Sequence, residues 1–265
     1  MHPILFKIAG FPIGTYGLLL TVGFFLALAL ARRLGGRDQV PAEAISDLAI
    51  TLLLAGIIGS KLLMVIVDLI GGASLGQVLN FGYLRAGGAV HGGIIAATAA
   101  FFWRVKTLKL PLAKTLDCLT PAVALGQAVG RLGCFAAGCC YGTACSAPWA
   151  VTFRNPEAAE LSGTPLGLPV HPVQLYTFLA NLLIMVILLL VRSRRRFLGQ
   201  VSACYFILEG IGRMVTEIWR ADLDRGVWMG LPWLSTGRLT AFLFIVFGVG
   251  LWAWYARIPQ TEVPS

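Results

Sequence analysis

Residues Gly126 to Gly142 read GQAVGRLGCFAAGCCYG. Arg131 lies within this largely apolar run, where a charged side chain is unfavourable by roughly 2.5–3.5 kcal/mol at a membrane centre. We therefore interpret Arg131 as a group that meets an anion. On a helix, small residues four positions apart form one narrow face that another backbone or a lipid tail can approach closely. The small residues with this spacing are Gly126, Gly130, Cys134, Gly138 and Gly142.

Composition places the chain in a membrane. Of its 265 residues, 57% are hydrophobic and 12% are charged, whereas soluble domains carry about 25% charged residues. The formal net charge is +9, but the basic residues lie in short clusters between apolar runs, as cytoplasmic loops require. We therefore predict an all-α polytopic membrane protein that sits in a lipid bilayer and does not bind nucleic acid.

Seven apolar runs are long enough to cross a hydrocarbon core of about 30 Å. Basic clusters follow the first, third, fifth and seventh runs, which predicts an outside N-terminus and a cytoplasmic C-terminus. No cleavable signal peptide is expected. We predict one transmembrane domain over 1–265, with a small periplasmic cap at about 134–172 between the fourth and fifth helices. The runs cover approximately 12–31, 48–70, 88–104, 115–133, 173–191, 199–219 and 236–256.

Several basic residues remain on the outward side, against the usual bias. Ion pairs with nearby acids are one explanation for any single residue. A partly buried cationic pocket for a phosphate headgroup explains the set better, because guanidinium groups bind phosphate strongly. These residues are Lys61, Arg85, Arg131, Arg154, Arg213, Arg220, Arg225 and Arg238.

One histidine motif and one tyrosine motif are candidates for catalytic or substrate-binding residues. His91 is followed by Gly92 and Gly93; a neutral imidazole accepts a proton near physiological pH, and the glycines expose backbone to a ligand. A hydrogen-bonded structural histidine is the alternative. Tyr16 lies near the outer end of the first run, where an interfacial anchor is the alternative to a substrate contact.

The sixth run carries a charged face. Arg213 and Glu217 are four residues apart and share that face, and Arg220 continues it. If Arg213 and Glu217 formed only a structural ion pair, their charges would cancel. With Arg220 added, the face keeps a positive charge and can hold an anion.

Four cysteines are spaced Cys134-x4-Cys139-Cys140-x4-Cys145. Disulfides that brace the cap, or plain packing, are the favoured interpretation, since thiols outside the membrane are open to oxidation. Metal or redox chemistry and substrate contact are the alternatives. The spacing matches no common zinc pattern, so no metal site is predicted.

In chain order, these motifs resemble those of the prolipoprotein diacylglyceryl transferase family, bacterial inner-membrane enzymes of lipoprotein maturation. Each motif alone is weakly specific, but their order through nearly the whole chain is specific. The matching residues are Tyr16-Gly17-Leu18, Lys61, His91-Gly92-Gly93, Asp117, Gly130-Arg131-Leu132-Gly133 with Gly142, His171-Pro172-x-Gln174-Leu175-Tyr176, and Arg213 with Glu217 and Arg220.

The resemblance implies transfer of the diacylglyceryl group from phosphatidylglycerol to the lipobox cysteine of a prolipoprotein signal peptide, with release of glycerol phosphate. No cofactor is called for. It implies that His91 is the base and that Arg131 and Arg213 stabilise the leaving phosphate. The implied substrate-binding residues are Tyr16, Lys61, Gly92, Gly93, Gly130, Gly133, Gly142, Glu217, Arg220 and Arg238.

The chain departs from the family pattern at four positions. Cys134 and Cys139 replace the usual asparagine and glutamate, Thr177 replaces a glutamate, and Glu209 stands where a tyrosine is expected. Two alternatives follow: a paralogue that lipidates another thiol, or a non-enzymatic thiol or metal-ion carrier that uses Cys139 and Cys140. Transporters often contain internal repeats, and the seven runs do not halve.

Overall fold

The computed structural model describes residues 2–8, 11–78, 80, 82–83, 87–221 and 235–258. The chain divides into two compact units, Met1–Ala31 with Leu116–Ser265, and Arg32–Thr115. The described residues form nine α-helices and one 3₁₀ helix, Glu217–Trp219. The α-helices are α1 (Thr15–Arg37), α2 (Ala42–Ile70), α3 (Leu75–Val78), α4 (Val90–Thr107), α5 (Leu112–Ala137), α6 (Pro156–Ser162), α7 (Val173–Ser193), α8 (Gln200–Thr216) and α9 (Thr236–Arg257).

Each predicted apolar run coincides with a long helix. Four of these helices, α1, α2, α7 and α9, are long and apolar enough to cross a membrane. Large apolar side chains are exposed along them, for example Phe25, Ile58, Leu183 and Phe247, each more than half exposed. An apolar surface of this extent is typical of contact with lipid. The chain is therefore a mostly helical membrane protein.

Two boundaries differ from the sequence prediction. The first helix begins at Thr15, because Ile4–Ile8 and Phe11–Gly14 pair as the antiparallel strands β1 and β2. The fourth long helix, α5, continues to Ala137, so the predicted cap boundary at 134 lies inside the helix. Gly138 then adopts φ +81 and ends it. Gly138 and Gly142 therefore do not continue the helical face of small residues. The described residues remain mostly helical, consistent with an all-α membrane protein that carries two short strand pairs.

In the unit Arg32–Thr115, α2 and α4 pack through glycines. A Cβ on Gly59 would lie 2.5 Å from the carbonyl oxygen of Gly92, and one on Gly93 would lie 2.9 Å from that of Gly56. Backbones at this separation leave no room for side chains. The two helices are also joined by an ion pair between Asp47 and Arg104.

In the larger unit, α1 contacts the glycine face of α5. A Cβ on Gly23 would lie 3.3 Å from the carbonyl oxygen of Gly126, so the backbones approach closely there. A buried apolar cluster joins α5, α7 and α8, and its members are Ala124, Ile184, Leu188, Val201 and Tyr205.

A buried carboxyl group on α5 caps α8. The fully buried Asp117 accepts hydrogen bonds from the backbone N–H groups of Gly199, at 2.8 Å, and Ser202, at 2.9 Å. Arg195 lies 3.7 Å from the same carboxylate. These contacts satisfy N–H groups that a helix start leaves unpaired. They fix the start of α8, the helix that carries Arg213.

The cap after α5 is a small folded segment. Its strands β3 (Val151–Thr152) and β4 (Pro169–Val170) pair antiparallel, and α6 lies between them. The predicted strand-like piece at 149–153 contains β3. The cap is joined to the end of the 3₁₀ helix, where the N–H of Thr143 donates to the carbonyl oxygen of Trp219 at 2.8 Å.

Candidate functional site

Arg131 and Arg213 line the same small cavity in the larger unit. Arg131 comes from α5 and Arg213 from the last turn of α8, while α7 supplies the opposite wall. The cavity measures about 10 Å³, room for about one water molecule. Its lining residues are Arg131, Thr177, Ala180, Asn181, Ile184, Glu209, Gly212, Arg213 and Thr216.

Helical periodicity explains this lining. Thr177, Asn181 and Ile184 are spaced four and three residues apart and so share one face of α7. Glu209, Arg213 and Thr216 have the same spacing on α8. A Cβ on Gly212 would lie 3.6 Å from Cδ1 of Ile184, which is ordinary packing. The two polar faces therefore meet inside an otherwise apolar pair of helices.

Glu217 connects two of the arginines. Its Oε2 lies 3.3 Å from Nη2 of Arg213 and 3.9 Å from Nε of Arg220. Its Oε1 accepts a hydrogen bond from the Ser235 hydroxyl at 3.1 Å. Arg220 is 5% exposed. With Arg131 and Glu209 included, three guanidinium groups face two carboxyl groups, so the site keeps a positive charge.

Gly142 has a packing role. A Cβ there would lie 2.6 Å from the carbonyl oxygen of Trp219 and 2.7 Å from Cβ of His171. Gly142 pairs with Arg220 as an isolated antiparallel bridge. The glycine thus lets the cap, the start of α7 and the end of the 3₁₀ helix meet beside Arg220.

Tyr16, Gly130 and Gly133 lie where α1 passes α5. A Cβ on Gly133 would lie 3.1 Å from Cδ2 of Tyr16, which is a tight contact. A Cβ on Gly130 would meet Cδ2 of Leu20 at 3.9 Å, an ordinary distance. Close packing against Tyr16 therefore explains why position 133 is a glycine, whereas position 130 has room for a side chain. Tyr16 is 42% exposed.

Three cysteines lie together at the end of α5. The sulfur atoms of Cys134, Cys139 and Cys140 are all within 4.8 Å of one another. Hydrogen bonds from the Cys134 and Cys139 thiols hold the pKa of Cys140 below its ordinary value, and the nearby Arg220 and Arg131 act in the same direction. No disulfide joins any of the six cysteines in this structure, so of the favoured interpretation, disulfides or plain packing, the disulfides are not formed.

His91 and Lys61 belong to the other unit. His91 is exposed in the first turn of α4. Two hydrogen bonds hold the loop before His91 against α2. Lys61 Nζ donates to the carbonyl oxygen of Gly87 at 3.1 Å. The N–H of Ala89 donates to the carbonyl oxygen of Ser60 at 3.0 Å. Lys61 therefore helps to position His91.

Gly92 and Gly93 next to His91 face α2, as described above. A Cβ on Gly92 would overlap Leu63 and the carbonyl oxygen of Gly59. Sequence reasoning interpreted these glycines as exposing backbone to a ligand. In the structure both glycines pack closely against α2.

Arg238 lies in the first turn of α9, where its N–H donates to the Ser235 hydroxyl at 3.2 Å. Sequence reasoning missed Asn181, Gly212 and Thr216 as cavity residues. Asn181 carried a usable sequence signal, because it is a polar residue within the apolar run that forms α7. In the structure its side chain is buried, at 3% exposed. Polar residues in such helices commonly mark functional sites.

The fold and the site together define a helical membrane protein with a partly buried cationic cavity. Comparison with known proteins specifies it further. The family model of prolipoprotein diacylglyceryl transferase matches residues 3–254, and the chain belongs to this family.

Curated relatives agree with the family match. The phosphatidylglycerol–prolipoprotein diacylglyceryl transferase of Finegoldia magna is 34% identical over 260 residues, which cover 97% of each chain. Its counterpart from Clostridium tetani is 32% identical over 249 residues, covering 94% of this chain and 96% of the relative. The one from Photobacterium profundum is 30% identical over 276 residues, covering 98% and 96%.

Proposed function

We propose that this protein transfers the diacylglyceryl group of phosphatidylglycerol to the lipobox cysteine thiol of a prolipoprotein signal peptide and releases glycerol phosphate. Family membership supports the reaction class. The observation that carries the proposal is the meeting of Arg131 and Arg213 at one cavity of a membrane protein. Two arginine side chains at one cavity suit a lipid phosphate.

The reaction requires one bond to form and one to break. The acceptor sulfur bonds to the glyceryl carbon, forming a thioether, while the bond from that carbon to the phosphate oxygen breaks. The electron pair leaves on the phosphate, whose developing charge is stabilised by fixed cationic donors. We assign that role to Arg131 and Arg213. Since the cavity holds about one water molecule, we place the phosphate at its mouth rather than inside it.

We propose that His91 accepts the proton of the acceptor thiol. An acceptor thiol with an unperturbed pKa near 8.5 is mostly protonated at neutral pH, so a base accelerates its attack. His91 is exposed on a loop-to-helix junction that Lys61 and Ser60 hold in place. An imidazole presented in this way is suited to accept a proton.

The remaining residues act as support. Glu217 holds Arg213 and Arg220, and we assign Tyr16 and Gly130, where α1 passes α5, to substrate contact. Arg238 adds positive charge at the start of α9. For Gly92, Gly93, Gly133 and Gly142, packing explains the absence of a side chain. We therefore propose that these glycines serve the substrates indirectly, by setting backbone separations.

We further propose that all seven long helices span the bacterial inner membrane as one transmembrane domain, with the N-terminus and the cap outside and the C-terminus in the cytoplasm. The basic clusters after α1, α4, α7 and α9 support this orientation. In this arrangement the cap and Arg220 face the outer leaflet.

Intact-mass analysis of a synthetic lipobox peptide tests the function. The peptide is incubated with the purified protein and phosphatidylglycerol, beside a matched peptide in which serine replaces the lipobox cysteine. We expect a mass gain of one diacylglyceryl group on the cysteine peptide alone. Modification of cysteine peptides without a lipobox would favour the paralogue, and no gain on any thiol would favour the thiol or metal-ion carrier.

A further inference from the structure

We propose that Cys134, Cys139 and Cys140 form a three-thiolate site for one soft, thiophilic metal ion. The three sulfur atoms lie within 4.8 Å of one another. Three sulfurs bound to one ion at about 2.3 Å lie roughly 3.8–4.0 Å apart. The trio therefore needs to contract by less than about 1 Å to enclose an ion. This proposal goes beyond the transfer reaction and departs from the sequence analysis, which predicted no metal site.

The backbone around the trio is held in place. Gly138 has φ +81 and Cys140 has φ +60, a left-handed conformation that is uncommon for a residue with a side chain. The buried Gln174 donates a hydrogen bond to the carbonyl oxygen of Cys139 at 2.8 Å. The Thr164 hydroxyl donates a hydrogen bond to the carbonyl oxygen of Gly138 at 3.1 Å. These contacts fold the chain back so that two consecutive cysteines reach the sulfur of Cys134 on α5.

The charge of the surroundings suits thiolate ligands. Three thiolates around a divalent ion leave one net negative charge. Arg131 lies three residues before Cys134 on α5, and Arg220 pairs with Gly142, two residues after Cys140, so two arginines border the trio and their positive charges offset that charge. Soft thiolate ligands select soft ions such as Cu(I) over hard ions such as Mg²⁺. All three cysteines are half-buried, so an ion has access to them.

A bound ion would join the end of α5 to the cap. Cys134 belongs to the helix, whereas Cys139 and Cys140 follow it. None of the three proposed ligands is a residue to which the transfer chemistry is assigned, although Arg131 lies three residues before Cys134 on the same helix. The test of the proposed metal site does not depend on transferase activity.

Cadmium binding to the full-length reduced protein in detergent tests the proposal. We expect one equivalent of Cd²⁺ per chain and an ultraviolet cadmium–thiolate charge-transfer band. Each of Cys134→Ser, Cys139→Ser and Cys140→Ser should weaken binding at least tenfold. Cys145→Ser is the matched control, because Cys145 is a cap cysteine outside the trio, and it should bind Cd²⁺ as the parent does.

Alkylation mapping on the unmodified protein keeps the test valid if a serine variant fails to fold. Cd²⁺ should protect Cys134, Cys139 and Cys140 from a maleimide and leave the reactivity of Cys118, Cys145 and Cys204 unchanged. Substoichiometric binding, or protection spread over the other three cysteines, would overturn the proposal. So would a disulfide within the trio that persists under thiol-free reductant and prevents cadmium uptake.

Discussion

Arg213 and Glu217 form an ion pair across the junction of α8 and the 3₁₀ helix, with Nη2 of the arginine 3.3 Å from Oε2 of the glutamate. The side chains are 27% and 11% exposed, so this pair is partly shielded from water. Glu217 also accepts a hydrogen bond from Ser235 before α9. The glutamate therefore holds Arg213 at the cavity and connects it to a second helix.

Glu217→Gln keeps the shape of the side chain and removes its charge. We expect kcat to fall about tenfold, which corresponds to about 1.4 kcal/mol, because Arg213 loses the partner that fixes its position. KM for phosphatidylglycerol should change little. An unchanged or higher kcat would mean that Glu217 competes with the phosphate for Arg213.

Arg131→Lys and Arg213→Lys keep the charge and remove the planar fork that binds two phosphate oxygens. Loss of a hydrogen bond to a charged group costs about 1.5–3 kcal/mol. We therefore expect each variant to release glycerol phosphate roughly ten- to a hundredfold more slowly. Arg154→Lys is the control, because Arg154 is exposed in the cap. An equally large decrease in the rate of glycerol phosphate release in Arg154→Lys would contradict a specific role for Arg131 and Arg213.

Gly92→Ala tests the packing of α2 on α4. The added methyl group would overlap Leu63 and the backbone of Gly59, and overpacking destabilises a fold by about 1–3 kcal/mol. Thermal unfolding in detergent should show a lower Tm. Gly56→Ala is the matched control, since a Cβ there meets no atom within 4 Å. Equal stability of both variants would contradict the close packing.

His91→Gln tests the proton acceptor. Glutamine cannot take the thiol proton, so we expect most transfer activity to be lost while the protein stays folded. Cys139→Ser and Cys140→Ser should keep a substantial part of the activity, because a lipid thioether on either cysteine would be a poor leaving group. Folded but inactive serine variants, together with an active glutamine variant, would assign the chemistry to a cysteine.

Membrane-impermeant maleimide labelling of intact cells tests the proposed orientation. A cysteine at Arg194, in the basic cluster that follows α7, should be protected from the reagent. A cysteine at Arg154 in the cap should react. Both variants need a background without the six native cysteines. Labelling at Arg194 from the outside would reverse the topology.

The helices could be predicted from sequence because their signals are local. Each long apolar run with basic residues at one end became a helix of nearly the predicted length. The paired strands β1 and β2 and the last turn of α5 were missed. Both depend on contacts or backbone angles that short-range composition does not record. Gly138 reads as part of a small-residue face, but its φ of +81 ends the helix.

The candidate site could be predicted in part. Arg131 and Arg213 are conspicuous because charged residues in apolar runs require an explanation. The packing of Gly92 on α2 could not be predicted, since a glycine that exposes backbone to a ligand and one that packs against a helix look alike in sequence. The closeness of Cys134 to Cys139 and Cys140 depends on the turn at Gly138 and on Gln174. These are long-range contacts that the spacing alone does not reveal.

The most direct test measures both products of a single reaction mixture. The protein, phosphatidylglycerol and a lipobox peptide are incubated together, and lipidated peptide and released glycerol phosphate are quantified over time. We predict equal amounts of the two products, with both rates reduced together in Arg131→Lys. Glycerol phosphate released without peptide lipidation, or no product from the unmodified protein, would contradict this prediction.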